Sequence, residues 1–223
     1  MLGYASISQF LYTLLITLPG IILGLTVHEF AHAFSAYKLG DMTAKRMGRV
    51  TLNPIAHIDA IGLVALILVH FGWGKPVPVN PYAFTRYRRL KNFVVDIAGV
   101  TMNFIVSFCL VAVYIALFPS TGGTGWGMDI LDYAIQINAV LMVFNLIPIP
   151  PLDGFGILTE IFGWRGKPWY PGLYRNGGFI LMAVILIGAF ADISILGYIL
   201  TPARTAIVDF MYNFWLPIFG YTA

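Results

Sequence analysis

Charged side chains are scarce in this chain of 223 residues: they make up 10%, against roughly 25% in a soluble domain. That shortage, with 59% hydrophobic residues and a mean hydropathy of +0.82, excludes an ordinary soluble domain and leaves an integral membrane protein. Cysteine is nearly absent as well. The lone Cys109 excludes an internal disulfide, and its apolar run makes it read as a small buried residue. No Lys or Arg precedes the first apolar run and no small-residue cleavage site is evident, so a removed signal peptide is not expected. Long polar stretches are missing too, which leaves no room for a separate soluble domain. Residues 1–223 therefore read as one membrane domain, with a core over about 7–155 and further helices over 178–219. A net charge of +3 reports topology first in such a protein, so the expected environment is the lipid bilayer and nucleic acid is not implied.

What the chain does have is a series of apolar runs. Those over 7–39, 92–118, 128–147 and 178–200 are long enough to span, and 203–219 is either a last span or an interfacial helix with aromatic anchors. The run over 58–71 is too short to cross and suits a re-entrant or membrane-associated segment, with His70 at the boundary. Residues 49–53 read as a short strand closed by a turn. The alternating prolines of Lys75-Pro76-Val77-Pro78-Val79-Asn80-Pro81 hold that segment extended. The expected fold is an all-α polytopic membrane protein with about five to six transmembrane helices, the short re-entrant segment, and short extended strands at the cytoplasmic face. Every Lys and Arg except Arg204 falls within 38–49, 75–91 or 165–175, so these three regions are expected in the cytoplasm and the N-terminus outside. The expected location is a prokaryotic cell membrane, with the chain crossing it several times.

One of these runs carries ionisable residues in its second half: His28-Glu29-Phe30-Ala31-His32, the pattern H-E-x-x-H. Residues four apart on a helix point nearly the same way, so His28 and His32 can offer two imidazoles to one tetrahedral metal, with Glu29 beside them as a base. Ionisable groups inside a bilayer cost roughly 2.5–3.5 kcal/mol each on insertion scales, so three at ligand spacing need a compensating partner. A catalytic zinc takes three protein ligands and keeps an open position. Asp153, after a proline-rich break and before Gly154, suits the third position, but it equally suits the cap of the segment that follows, and the residues alone favour the cap. Asn103 and Asn145 are either donors to substrate or oxyanion, or polar contacts between helices. His57 and Asp59 form an H-x-D pair that is either a second metal site or a structural hydrogen-bonded pair.

Taken together, His28-Glu29-x-x-His32, Gly99-x-x-x-Asn103 and Asn145-x-x-Pro148-x-Pro150-x-Leu152-Asp153-Gly154 resemble the site-2 protease family of intramembrane zinc metalloproteases. The resemblance covers about 24–155 and extends to Gly40-Asp41, Asn53-Pro54-x-x-His57-x-Asp59 and Gly74-Lys75-Pro76-Val77-Pro78-Val79-Asn80-Pro81, which look like its compact branch without PDZ or CBS domains. It implies His28, His32 and Asp153 as ligands of Zn2+, Glu29 as catalytic acid/base, and transmembrane proteins as substrates cut near the cytoplasmic leaflet. Where relatives often have Ala-Gly-Pro, this chain has Ala98-Gly99-Val100, so less kinking is expected there. A helical substrate must unwind before attack, and 75–81 or 49–53 is either an edge for the opened strand or a surface loop.

Two other functions compete. A metal transporter or channel would need ionisable residues spread through several spans to both faces, whereas here they cluster in one leaflet. An inactive scaffold of the same fold would not need every chemical residue that is present.

Overall fold

A computed structural model describes residues 6–69, 72–190 and 195–221; His70 lies outside them. The described residues form eight α-helices: α1 (Ile7–Leu39), α2 (Thr43–Arg46), α3 (Ala60–Val69), α4 (Arg88–Thr121), α5 (Trp126–Asn145), α6 (Asp153–Phe162), α7 (Tyr170–Phe190) and α8 (Ile195–Ile218). Four of them, α1, α4, α5 and α7 over Tyr170–Gly188, are long and apolar enough to cross a membrane.

The centre is a bundle of α1, α4 and α5, and small residues set how closely its helices approach. A Cβ at Gly20 would stand 2.8 Å from the Ala134 Cα on α5, and one at Gly24 would stand 3.1 Å from Asn138 Oδ1. On the other side of α1, Gly99 of α4 lies directly under the imidazoles of His28 and His32, where any side chain would collide with them. At the far end of the bundle, Val111, Ile115, Ile135 and Ala139 pack against Val208 and Met211 of α8, and Trp215 donates its indole N–H to the Phe108 carbonyl at 2.9 Å. The cap of α1 is Ser6, whose hydroxyl accepts from the Gln9 N–H, and the helix stops at Gly40, whose φ of 113° is left-handed.

α6 is short but held firmly. The Arg89 guanidinium donates to the carbonyls of Glu160 and Ile161 at the end of α6, and Glu160 in turn pairs with Arg165. At its start, the chain turns back so tightly on α5 that a Cβ at Gly154 would strike the Leu146 carbonyl. Asp153 is thus delivered to the flank of α4 by a clamp at each end of a ten-residue helix.

Several expectations change. Among the described residues no strand forms; the one ladder contact is an antiparallel bridge between Ile58 and Gly74. Residues 75–80 carry no helix or strand, since prolines at alternate positions supply too few N–H donors for a ladder, and 49–53 holds a bend at Val50 and Thr51. Four helices rather than five to six meet the length and apolarity of a span, because α8 carries Arg204, Asp209, Pro202 and Pro217 along its length. The expected 178–200 run straddles the end of α7 and the start of α8, since apolar composition continues across the boundary. Cys109 is exposed rather than buried, for a helix face turned to lipid is as apolar as a core. Of the segment expected to be re-entrant, the described residues hold α3, and Ile58 before it is bridged to Gly74 after it. At about 1.5 Å per residue α3 is about 15 Å long, half the hydrocarbon thickness, and the Ile58–Gly74 bridge joins the chain on either side of it. α4 runs unbroken through Ala98-Gly99-Val100.

Candidate active site

The two histidines of α1 face α4 and α6. His28 is 5% exposed and His32 8%. Each has its Nδ1 tied to an acceptor: His28 Nδ1 is 2.7 Å from Asn103 Oδ1, and His32 Nδ1 is 2.7 Å from the Val95 carbonyl. The Asn103 amide is oriented by its own bonds, because Nδ2 donates to the Gly24 carbonyl and to Asn138 Oδ1, each at 3.0 Å. Asn138 is oriented likewise by donating to the Ala134 carbonyl at 2.8 Å. Each Nδ1 thus has an acceptor for its proton, and in that tautomer each ring turns an Nε2 lone pair inward.

Those lone pairs meet a carboxylate. His28 Nε2 and His32 Nε2 are 3.0 Å apart, and each is 3.3 Å from Asp153 Oδ2. Asp153 Oδ2 is buried with no hydrogen-bond partner. Two lone pairs and an anionic oxygen facing one point repel one another unless a cation sits between them. Ligands bound about 2.0–2.2 Å from a tetrahedral zinc stand about 3.3–3.6 Å apart, close to the separations here. Among the described residues this is the one group of three such side chains gathered at a point.

Glu29 projects beside the cluster, and its Oε2 accepts the Val77 N–H at 2.7 Å. The segment 75–81, considered as an edge for substrate, thereby makes a hydrogen bond to Glu29 through Val77. Arg49 donates to the carbonyls of Lys75 and Pro76, and Asp41 accepts the Asn80 N–H. Along α1, one turn from Glu29, an apolar cavity of about 410 Å³ is bounded by Leu25, Leu63, Leu66, Leu141 and Trp73.

The remaining expected residues fall elsewhere. Both amide hydrogens of Asn103 are committed, so it has none for an oxyanion; its place is behind His28. Asn145 donates to the Leu141 carbonyl of its own helix. His57 and Asp59 do not share an ion. His57 is fully buried and bonds the Thr51 carbonyl at 2.8 Å, whereas Asp59 caps α3 by accepting the Gly62 N–H at 2.8 Å. Sequence reasoning missed Asn138, whose only signal is an amide at mid-span, and it missed the partnership of Val77 with Glu29.

The similarities to known proteins agree with this geometry. The chain is 36% identical over 222 residues to the Bacillus subtilis protein named "Putative zinc metalloprotease YwhC", covering 95% of this chain and 97% of that one. It is 30% identical over 185 residues to the similarly named Rip2 of Mycolicibacterium smegmatis, covering 78% of this chain and 67% of the relative. A family model for peptidase family M50 matches residues 123–188. The chain belongs to peptidase family M50. It is a zinc-dependent metalloprotease of the site-2 protease type, working within the membrane. No solved structure matches the chain. The stretch covered by the M50 family model holds α5, Asp153 and α6, but the histidine pair lies outside it, so the closing of the site is a matter of tertiary geometry.

Proposed function

We propose that this M50 enzyme hydrolyses a peptide bond of transmembrane proteins near the cytoplasmic leaflet, with His28, His32 and Asp153 holding zinc and Glu29 acting as acid and base. The observation that carries this reading is the convergence of two imidazole lone pairs and the orphaned Asp153 Oδ2 on one point. Bound zinc supplies Lewis acidity, which makes a water nucleophilic near neutral pH. Glu29 takes the proton of the attacking water and passes it to the leaving amine. Asn103 and Asn138 hold His28 in its tautomer, and the Val95 carbonyl does the same for His32. Asn145, with one amide hydrogen on Leu141, keeps the other for a substrate carbonyl.

The depth of the cut follows from helix geometry. Seven residues separate His32 from Leu39, which places the site about 10 Å below the end of α1, the end shared with the three basic regions. The apolar cavity beside Leu25 suits a substrate segment that has left the lipid and must unwind.

The test is incubation of detergent-purified protein with a panel of single-span substrates, with and without a zinc chelator. The expected result is chelator-sensitive cleavage, located by mass spectrometry within the cytoplasmic third of the span. Cleavage confined to soluble loops, or indifferent to the chelator, would overturn the reading.

A further inference from the structure

We propose that the segment 75–80 is a positioning strap for the base: the Val77 backbone N–H fixes Glu29, and the buried side chains of Arg49 and Asp41 fix the strap. The inference rests on the reading of Glu29 as acid and base.

The strap is stiff by composition. Pro76 and Pro78 lock their own φ angles and have no N–H, so Val77 presents an isolated donor between two rings. That donor goes to Glu29 Oε2 at 2.7 Å. A carboxylate has two oxygens, and tying one of them leaves the other to exchange the proton in a defined place. A free glutamate would otherwise spread its carboxylate over several rotamers, and rate falls when a reacting group is displaced by even an ångström.

Both ends of the strap are pinned from buried charges. Arg49 is 6% exposed, and its guanidinium reaches the Lys75 carbonyl at 2.6 Å and the Pro76 carbonyl at 3.2 Å. A planar fork can hold two consecutive carbonyls; a lysine ammonium at the same place is a point donor on a flexible stem. His57 closes this end, its carbonyl accepting the Lys75 N–H at 2.8 Å. At the other end Asp41, 1% exposed, accepts the Asn80 N–H at 2.6 Å through Oδ2, and the Thr43 N–H and hydroxyl at 2.9 and 2.5 Å through Oδ1. Burying a charge is costly unless hydrogen bonds replace its water, and here each buried charge has strap backbone among its partners. The outcome of both anchors is the direction of one N–H.

Proline substitution tests this cleanly, because Val77→Pro removes the donor while keeping the extended backbone. Val79→Pro adds the same ring two residues on, at an N–H that makes no hydrogen bond among the described residues. Measured on the full chain in detergent, Val77→Pro should lower kcat by about 10–100-fold with KM and zinc content unchanged, part of the roughly 10²–10⁴-fold worth of general acid–base catalysis. Val79→Pro leaves the Val77 N–H in place but disturbs packing on Ala36, Phe84 and Val95, so its kcat should fall less than that of Val77→Pro. Equal kcat in the two proline variants overturns the proposal, and so does a Val77→Pro effect confined to KM, which would mark the strap as a substrate contact. Should Val77→Pro lose zinc, Arg49→Lys decides: a fall in kcat at constant KM supports positioning, and an unchanged kcat overturns it. Glu29→Gln in the same series keeps the two readings apart. An inactive Gln variant beside indistinguishable proline variants removes the strap alone, whereas an active Gln variant removes the base and the strap together.

Discussion

Asn138 Oδ1 accepts a hydrogen bond from Asn103 Nδ2 at 3.0 Å, so a residue of α5 sets the amide that sets His28. The bonds run in one direction, from the imidazole through two amides to the Ala134 carbonyl, and reversing either amide would break the chain. Replacing Asn138 with leucine removes the acceptor and frees the Asn103 amide to rotate. Zinc affinity should fall by about 10–100-fold, the usual effect of losing an outer partner of a ligand histidine. Chelator competition on the purified variant measures it, and unchanged affinity would contradict the relay.

Gly99 makes a sharper demand. Its missing side chain is the space that the His28 and His32 rings occupy, so Gly99→Ala should strip the protein of zinc and of cleavage together. Gly127, also in a span but with nothing within 4 Å of a would-be Cβ, is the matched control and should tolerate alanine. Full zinc content in the Gly99 variant, read by metal analysis, would contradict the packing described here.

How much of this was written in the sequence depends on whether a signal is local. His28, Glu29 and His32 are four residues apart at most, so helix periodicity alone brings them to one face. Asp153 is legible only as a choice, since a carboxylate that starts a helix is also a cap; it takes the fold of α6 across α4 to bring Oδ2 to 3.3 Å from both rings. Asn138 was not legible at all. Its neighbours carry no spacing that distinguishes an amide bonded to a distant helix from one bonded to its own. Helix boundaries failed where composition fails to change, as between α7 and α8. The shortness of the 58–71 run was legible, and over its described residues the helix is ten residues long, about half a bilayer's hydrocarbon thickness.

The bridge across the flanks of α3 has a topological consequence. With Ile58 bridged to Gly74, the loops before and after α3 leave from the same end of the bundle. In a Cys109→Ser background, single cysteines at positions 45 and 88 should be labelled from the same face of the membrane, and one at position 122, past the end of α4, from the opposite face. Opposite labelling of 45 and 88 would show that the segment crosses.

The metal set has its own test, independent of activity. Wild-type protein should carry zinc near one equivalent, and the double variant His28→Ala/His32→Ala should carry almost none, because Asp153 alone cannot hold the ion. Retention of full metal content in that variant would remove the site from this part of the fold.

Most direct of all is a single substitution read two ways. Glu29→Gln keeps the size and polarity of the side chain and its acceptor oxygen for the Val77 N–H, but removes the basicity that proton transfer needs. Purified Glu29→Gln, assayed for zinc and for cleavage of a single-span substrate, should hold wild-type zinc and cleave slower by at least about 10²-fold. Cleavage near the wild-type rate with zinc confirmed would contradict the account at its centre, whatever the fold.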